Sequence, residues 1–232
     1  MSLSVFKMTL VCLIFGVPLL AGGCSQHAGS APSPSASRGD SGAERLVRSS
    51  AEATRKLVSA HVAVVVKGKF DRLGPVTNVD ADVQANPLIA NGQITYSNGT
   101  SAPFGLADGK LSVMQGSEWT EVGSTSAFLP PSVIDPSQGL PLILDSIVGL
   151  QMQGTDTVDG IPTQKVSGTV PADRLKKYFP EATGAADFTA WIQDSANPVL
   201  VRTAGTLSAQ QGLTVTLSKW NVPVSVTAPP SS

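Results

Sequence analysis

Two cysteines are all that the chain contains, Cys12 and Cys24. With Cys12 placed in an amino-terminal leader, no disulfide is available, and the folded part must stand on its hydrophobic core alone. Histidine is as scarce: His27 and His61 are the whole supply, which starves acid–base catalysis and metal binding of their commonest side chain. The chain has no G-x-S-x-G elbow and no glycine-rich phosphate loop ahead of a helix. Its net charge is −1, without a basic block, so neither nucleic acid nor strong electrostatic attachment to anionic head groups is predicted. These absences predict a protein that is not an enzyme, with no catalytic residue, no metal site and no cofactor. His61 reads as a surface or packing residue of a strand, and Asp80 and Asp82 as solvated carboxylates. The Asn98-Gly99-Thr100 glycosylation pattern reads as a turn.

What is present begins at the amino terminus. A short leader carrying Lys7 precedes an apolar run over residues 8–20. A bilayer-crossing helix needs about 20 apolar residues, and this run, which is shorter, suits the h-region of a signal peptide. Ala21-Gly22-Gly23-Cys24 follows at once. Small residues directly before a cysteine form the cleavage motif of a lipoprotein-processing peptidase, although Ala21 holds a place where leucine is usual. Residues 1–23 are therefore expected to be a lipoprotein signal peptide. Cys24 is expected to be the lipidation site, carrying a diacylglyceryl group with acyl chains of the palmitate kind. Two or three such chains, at about 0.8 kcal/mol per buried methylene, anchor a protein stably to the cell membrane. Residues 24–40 then form a Ser/Pro/Ala linker, a composition that cannot bury a core. As a coil it reaches roughly 20–25 Å, so the domain stays close to the extracytoplasmic face of the membrane that holds it.

Residues 41–232 are read as a single domain. A helix is expected over residues 41–59, with Ser41 and Glu44 as a capping box and Leu46, Val47, Ser50, Thr54, Leu57 and Val58 on one stripe. Two-residue alternation then predicts strands over 61–70, 77–83, 89–97, 104–107 and 110–115, with a short edge over 119–122. Asp108-Gly109 and Asp159-Gly160 are hairpin turns. A second helix is expected over 140–148. Further strands are expected over 151–158, 161–170, 188–193, 199–207 and 213–220, with a short helical piece over 172–177. Strands joined by tight turns make an antiparallel sheet, and apolar-striped helices must cover one of its faces. The predicted class is α+β, a large curved antiparallel sheet with helices packed on it.

Several stretches, taken in order from residue 44 to 229, resemble the LppX/LprAFG family of mycobacterial envelope lipoproteins. They are Ser59-Ala60-His61-Val62, Ala85-Asn86-Pro87-Leu88, Asp135-Pro136 followed by Gly139-Leu140, Gly154-Thr155-Asp156, Val158-Asp159-Gly160 and Lys165-Val166-Ser167-Gly168-Thr169-Val170, then Trp191-Ile192 and Leu217-Ser218-Lys219-Trp220. Ala85-Asn86-Pro87-Leu88 and Ser218-Lys219-Trp220-Asn221 point to the LppX branch rather than to LprG. The resemblance implies a half-barrel with helices on its concave face and an apolar cavity between them. It also implies a carrier that shields long acyl chains as a lipid moves toward the outer layer of the envelope. The ligands it implies are phthiocerol dimycocerosates or triacylated lipids, with a lipid-exporting membrane transporter as a partner.

Residues able to line such a cavity can be named. On strands they are Val62, Val64, Val66, Val79, Val83, Ile94, Phe104, Leu106 and Val113, with Val166 and Val170 farther on; on helices they are Leu46, Leu57, Leu140, Ile143, Leu144 and Ile147. The pattern alone describes an ordinary filled core equally well. A non-enzymatic scaffold that binds other envelope proteins through a sheet edge is the second reading. A hydrolase is a distant third, with His61 as its one candidate base.

Overall fold

The computed structural model describes residues 41–71, 73–124, 135, 137, 139–180 and 182–224, all within one compact unit, Gly39–Ser232. The expected signal peptide, Cys24 and the expected linker lie outside the described residues, as do Pro136 and Gln138. No described helix is long and apolar enough to cross a membrane.

Helix α1 spans Gly42–Arg55 and opens with the expected capping box. The Glu44 amide donates to Ser41 Oγ at 3.1 Å, and the Ser41 amide donates to the Glu44 carboxylate at 2.8 Å. The helix is shorter than expected. Leu57 is buried beyond its end, Val58 is 62% exposed rather than on the apolar stripe, and Ser59 already belongs to the first strand.

Six strands follow: β1 (Ser59–Lys67), β2 (Val76–Gln84), β3 (Ile89–Tyr96), β4 (Ser101–Ala107), β5 (Lys110–Gln115) and β6 (Glu118–Ser124). Then come helix α2 (Gly139–Asp145), β7 (Val148–Val158), β8 (Ile161–Val170), helix α3 (Ala172–Leu175), β9 (Ala186–Gln193), β10 (Leu200–Ser208) and β11 (Gln211–Ser218). The second helix is also shorter than its pattern, because Ile147 lies past its end and Val148 opens β7. Asp108 and Asp159 take positive φ at 52° and 50°, each followed by a left-handed glycine, as two-residue hairpin turns require.

All eleven strands form one antiparallel sheet in the order β6-β5-β4-β3-β2-β1-β11-β10-β9-β8-β7. It is two meanders, β1 to β6 and β7 to β11, joined where the first strand pairs with the last. The chain crosses from edge strand β6 to the opposite edge strand β7 through the segment containing α2. Helix α1 packs against α2 and against β7, β9 and β10. Within that contact the Leu200 amide donates to Thr54 Oγ1 at 3.0 Å in a buried position, and Arg55 pairs with Asp145 at 2.7 Å.

Candidate functional site

The inner face of the sheet is built by register. Val64 pairs with Val79 on one side and Val215 on the other. The same row continues outward to Ile94 and Ala102, and inward through Thr203, Ala190 and Val166 to Met152. It crosses nine strands, and from Ile94 to Val166 every member is buried. Strand alternation produces this, since residues i and i+2 share a face and pairing aligns those faces across neighbours. Thr203 is the one polar member, and its hydroxyl donates to the Thr189 carbonyl at 3.2 Å.

A second row runs Val113, Phe104, Gly92, Ala81, Val62 and Leu217. A third, from Val66 through Leu213, Gly205 and Phe188 to Gly168, alternates large and absent side chains. A Cβ on Gly205 would meet the Phe188 ring at 3.9 Å, an ordinary van der Waals contact.

Every candidate lining residue falls in one apolar cluster. Leu57, Val62, Val64, Val66, Val79, Val83, Ile94, Phe104, Leu106 and Val113 are buried there, with Leu140, Leu144, Ile147, Val166 and Val170. Leu46 and Ile143 pack against the cluster while half-buried. Two-residue alternation with Val79, Ala81 and Val83 would put Thr77 on the same face, but it is only partly buried. A register shift between Val76 and Asn78 gives its place to Val76.

The cluster also holds residues that were not expected. Leu175, Tyr178, Phe179 and Ala182 follow β8, and Phe70 meets Phe179 with ring centroids 5.2 Å apart. The spacing of Leu175, Tyr178 and Phe179 at i, i+3 and i+4 was the available signal. Burial raises the Tyr178 phenol above its ordinary range. Phe188, Ala190 and Ile192 on β9, and Val215 and Leu217 on β11, complete the wall.

Two open clefts are lined wholly by described residues. One, of about 400 Å³, lies between Phe70 and Ser97 at the β1–β2 connection. The other, of about 440 Å³, is bounded by Leu142 and Ser146 beside α2, by Val148 at the start of β7, and by Arg174, Lys177 and Tyr178 at α3. Leu142 is 43% and Val148 52% exposed there, beside two cations, Arg174 and Lys177, and two carboxylates, Asp145 and Asp173.

The outer face carries polar chemistry. His61 sits between Asp82, at 2.8 Å from Nδ1, and Asp80, at 3.3 Å from Nε2, so these carboxylates are engaged rather than merely solvated. Both lie on β2, one residue to either side of Ala81, which places them on the face opposite Val79 and Val83. Each ring nitrogen is occupied by a carboxylate, an arrangement that fixes the imidazole as a surface clamp between β1 and β2. On β9 the Trp191 indole donates to Asp156 at 2.9 Å, and Lys165 lies over the ring at 5.1 Å. Asn98 is a turn residue, as expected: its side chain accepts from the Thr100 amide and hydroxyl. Among the described residues no group of three or more His, Cys, Asp or Glu side chains is placed to hold a metal ion.

Comparison with known proteins places these features. The sequence profile of the LppX_LprAFG lipoprotein family matches residues 42–226. LppX of Mycobacterium tuberculosis, provisionally named a phthiocerol dimycocerosate transporter, is 38% identical over 229 residues, covering 96% of this chain and 97% of its own. Its crystal structure superposes with a TM-score of 0.67 over 78% of this chain and 96% of that one. LprG of Mycobacterium bovis, named a lipoarabinomannan carrier protein, is 31% identical over 197 residues, 82% of this chain and 83% of its own. The crystal structure of LprF from Mycobacterium bovis aligns at 28% identity with a TM-score of 0.70, over 81% of this chain and 96% of that one.

Proposed function

Because the chain belongs to the LppX_LprAFG lipoprotein family, we propose that it is a carrier that holds long-chain envelope lipids against the inner face of its sheet. The observation that carries this reading is the row from Ile94 to Val166, buried throughout and apolar but for Thr203, with the apolar stripes of the helices in the same cluster. A twisted sheet of more than about ten strands curls rather than staying flat, and a curled sheet with helices across it makes a trough. Val, Ile, Leu and Ala lining lose nothing by facing an acyl chain instead of water. The cleft at Leu142, Val148 and Lys177 is the mouth in this reading, with apolar side chains for acyl chains and a rim of mixed charge, Arg174 and Lys177 with Asp145 and Asp173, for a polar head.

The names of the relatives support a ligand class. LppX is provisionally named for phthiocerol dimycocerosates and LprG for lipoarabinomannan; we assign phthiocerol dimycocerosate-like or triacylated lipids to this chain. The protein works without catalysis, extracytoplasmically, anchored to the cell membrane through Cys24 on its linker. It passes lipid toward the outer envelope in partnership with a lipid-exporting transporter.

Native and denaturing mass spectrometry of the protein, purified from a mycobacterial host, tests the reading. A stoichiometric long-chain lipid on the protein is expected. An empty protein that also fails to take up long-chain lipid from vesicles overturns it. The second reading, a scaffold for other envelope proteins, draws on β7. That edge strand is exposed along nearly its whole length, including Val148 and Met152, and offers an unpaired ladder edge to another chain.

A further inference from the structure

Six polar side chains are buried among the described residues: Ser50, Thr54, Ser59, Asp135, Thr163 and Thr203. Five are satisfied. Thr54 accepts from the Leu200 amide, Ser59 donates to the Val222 carbonyl at 2.6 Å, and Thr163 donates to the Asp156 carbonyl at 3.0 Å. Thr203 donates to Thr189, and Asp135 accepts from the Ser137 amide and hydroxyl. The exception is Ser50, 0% exposed, whose Oγ has no partner. The one other orphan, Trp220 Nε1, belongs to a residue that is only half-buried.

The position of Ser50 makes the exception informative. It lies at i+3 from Val47 and i−4 from Thr54, in the middle of the buried stripe of α1. Helical serines commonly turn back onto the carbonyl four residues earlier, and this one does not. A buried hydroxyl left unpaired is destabilising, and native proteins seldom tolerate one without a reason. Water is a poor occupant, because it needs two to four polar partners. Around Ser50 the helix places Val47, Ala51 and Ala53, with Leu46 packed against the same cluster, and the Thr54 hydroxyl accepts from the Leu200 amide.

An ester carbonyl fits what water does not. It is a single strong acceptor carried on apolar chain, and it matches a single donor set in an apolar wall. We propose that Ser50 Oγ donates a hydrogen bond to an ester carbonyl of the bound lipid, so that the site selects ester-linked acyl lipids over hydrocarbon or ether-linked ones. This rests on the carrier reading above.

The test compares the full protein with Ser50→Ala, using a triacylglycerol with ¹³C-labelled ester carbonyls and its trialkyl ether analogue. Alanine is a better helix former than serine, so the variant is expected to fold. The wild type should prefer the ester, and Ser50→Ala should lose roughly 3- to 10-fold of that preference, the worth of one neutral hydrogen bond. In isotope-edited infrared spectra, the labelled carbonyl band should sit at lower frequency in the wild type than in the variant. Uptake of both lipids with the same ratio and the same band in the two proteins overturns this inference alone. Uptake of neither by the wild type overturns the carrier reading and this inference with it.

Discussion

The amide of Leu200, the first residue of β10, donates to the side-chain hydroxyl of Thr54, the penultimate residue of α1, in a fully buried position at 3.0 Å. A helix end and a strand start distant in sequence are thereby fixed to each other. Replacing Thr54 with valine keeps the shape and removes the acceptor, which strands a buried N–H. A loss of about 1–3 kcal/mol is expected, read as a lower urea midpoint with an unchanged slope. Thr54→Ser should recover most of it, and a Thr54→Val protein as stable as the wild type would show that the link contributes nothing.

Gly92 on β3 faces Ala81 on β2, and a Cβ there would lie 2.6 Å from the Ala81 Cα. Backbone cannot yield as a flexible side chain can, so the two strands must part locally. Gly92→Ala is expected to cost about 1–3 kcal/mol, within the range of overpacked cores. Gly109→Asn, at a left-handed turn position with open space around it, should be much milder. Thermal unfolding of the two variants side by side separates steric overlap from loss of glycine as such.

Arg55 and Asp145 join α1 to α2 at 2.7 Å, with side chains 42% and 45% exposed. An exposed pair of this kind contributes under about 1 kcal/mol, and less in high salt. A double-mutant cycle with Arg55→Ala and Asp145→Ala should give a coupling inside that range that shrinks between 50 mM and 1 M salt. A coupling of several kcal/mol that ignores salt would mean the pair is far less solvated than its exposure indicates.

The Trp191 indole N–H and, after it, the Thr157 amide hold the Asp156 carboxyl below its ordinary value of 3.8. A depressed carboxylate contributes stability above its unfolded pKa and loses it as pH falls through the folded one. The Trp191 contact should therefore persist through neutral and mildly acidic pH and give way only below 3.8. The indole ¹H–¹⁵N resonance of Trp191, followed by NMR down the pH scale, reports this directly. Asp156→Asn should flatten the curve, and an unchanged curve would remove Asp156 from the account.

The strands were the legible part of the sequence. In β1 and β2, buried valines and alanines alternate with exposed or polar residues, and β8 runs over the expected 161–170. Helix ends were less legible, because Leu57 and Ile147 continue an apolar rhythm after the helix has stopped and are buried by the turns that follow. Composition could not reveal that His61 would meet Asp80 and Asp82, because that depends on the β1–β2 register. The Phe70–Phe179 contact depends on elements far apart in sequence and left only a local spacing of apolar residues as its trace. The sequence pattern makes Ser50 one member of a stripe; that its hydroxyl, alone among the buried hydroxyls of the described residues, lacks a partner follows from three-dimensional placement.

The pairing of β1 with β11 has a consequence for how the protein is made. The first strand finds one neighbour at once, but its other edge stays open until residues 211–218 arrive. Contacts of such long sequence separation form slowly, since the intervening loop must close first. In a chain made from its amino terminus onward, the sheet cannot be completed before nearly the whole chain has emerged. Until then the valine-rich edge of β1 is exposed to solvent, to chaperones and to other chains. A premature stop anywhere before residue 211 would leave that edge open for good, so a truncated product should aggregate or be degraded rather than persist as a smaller working domain.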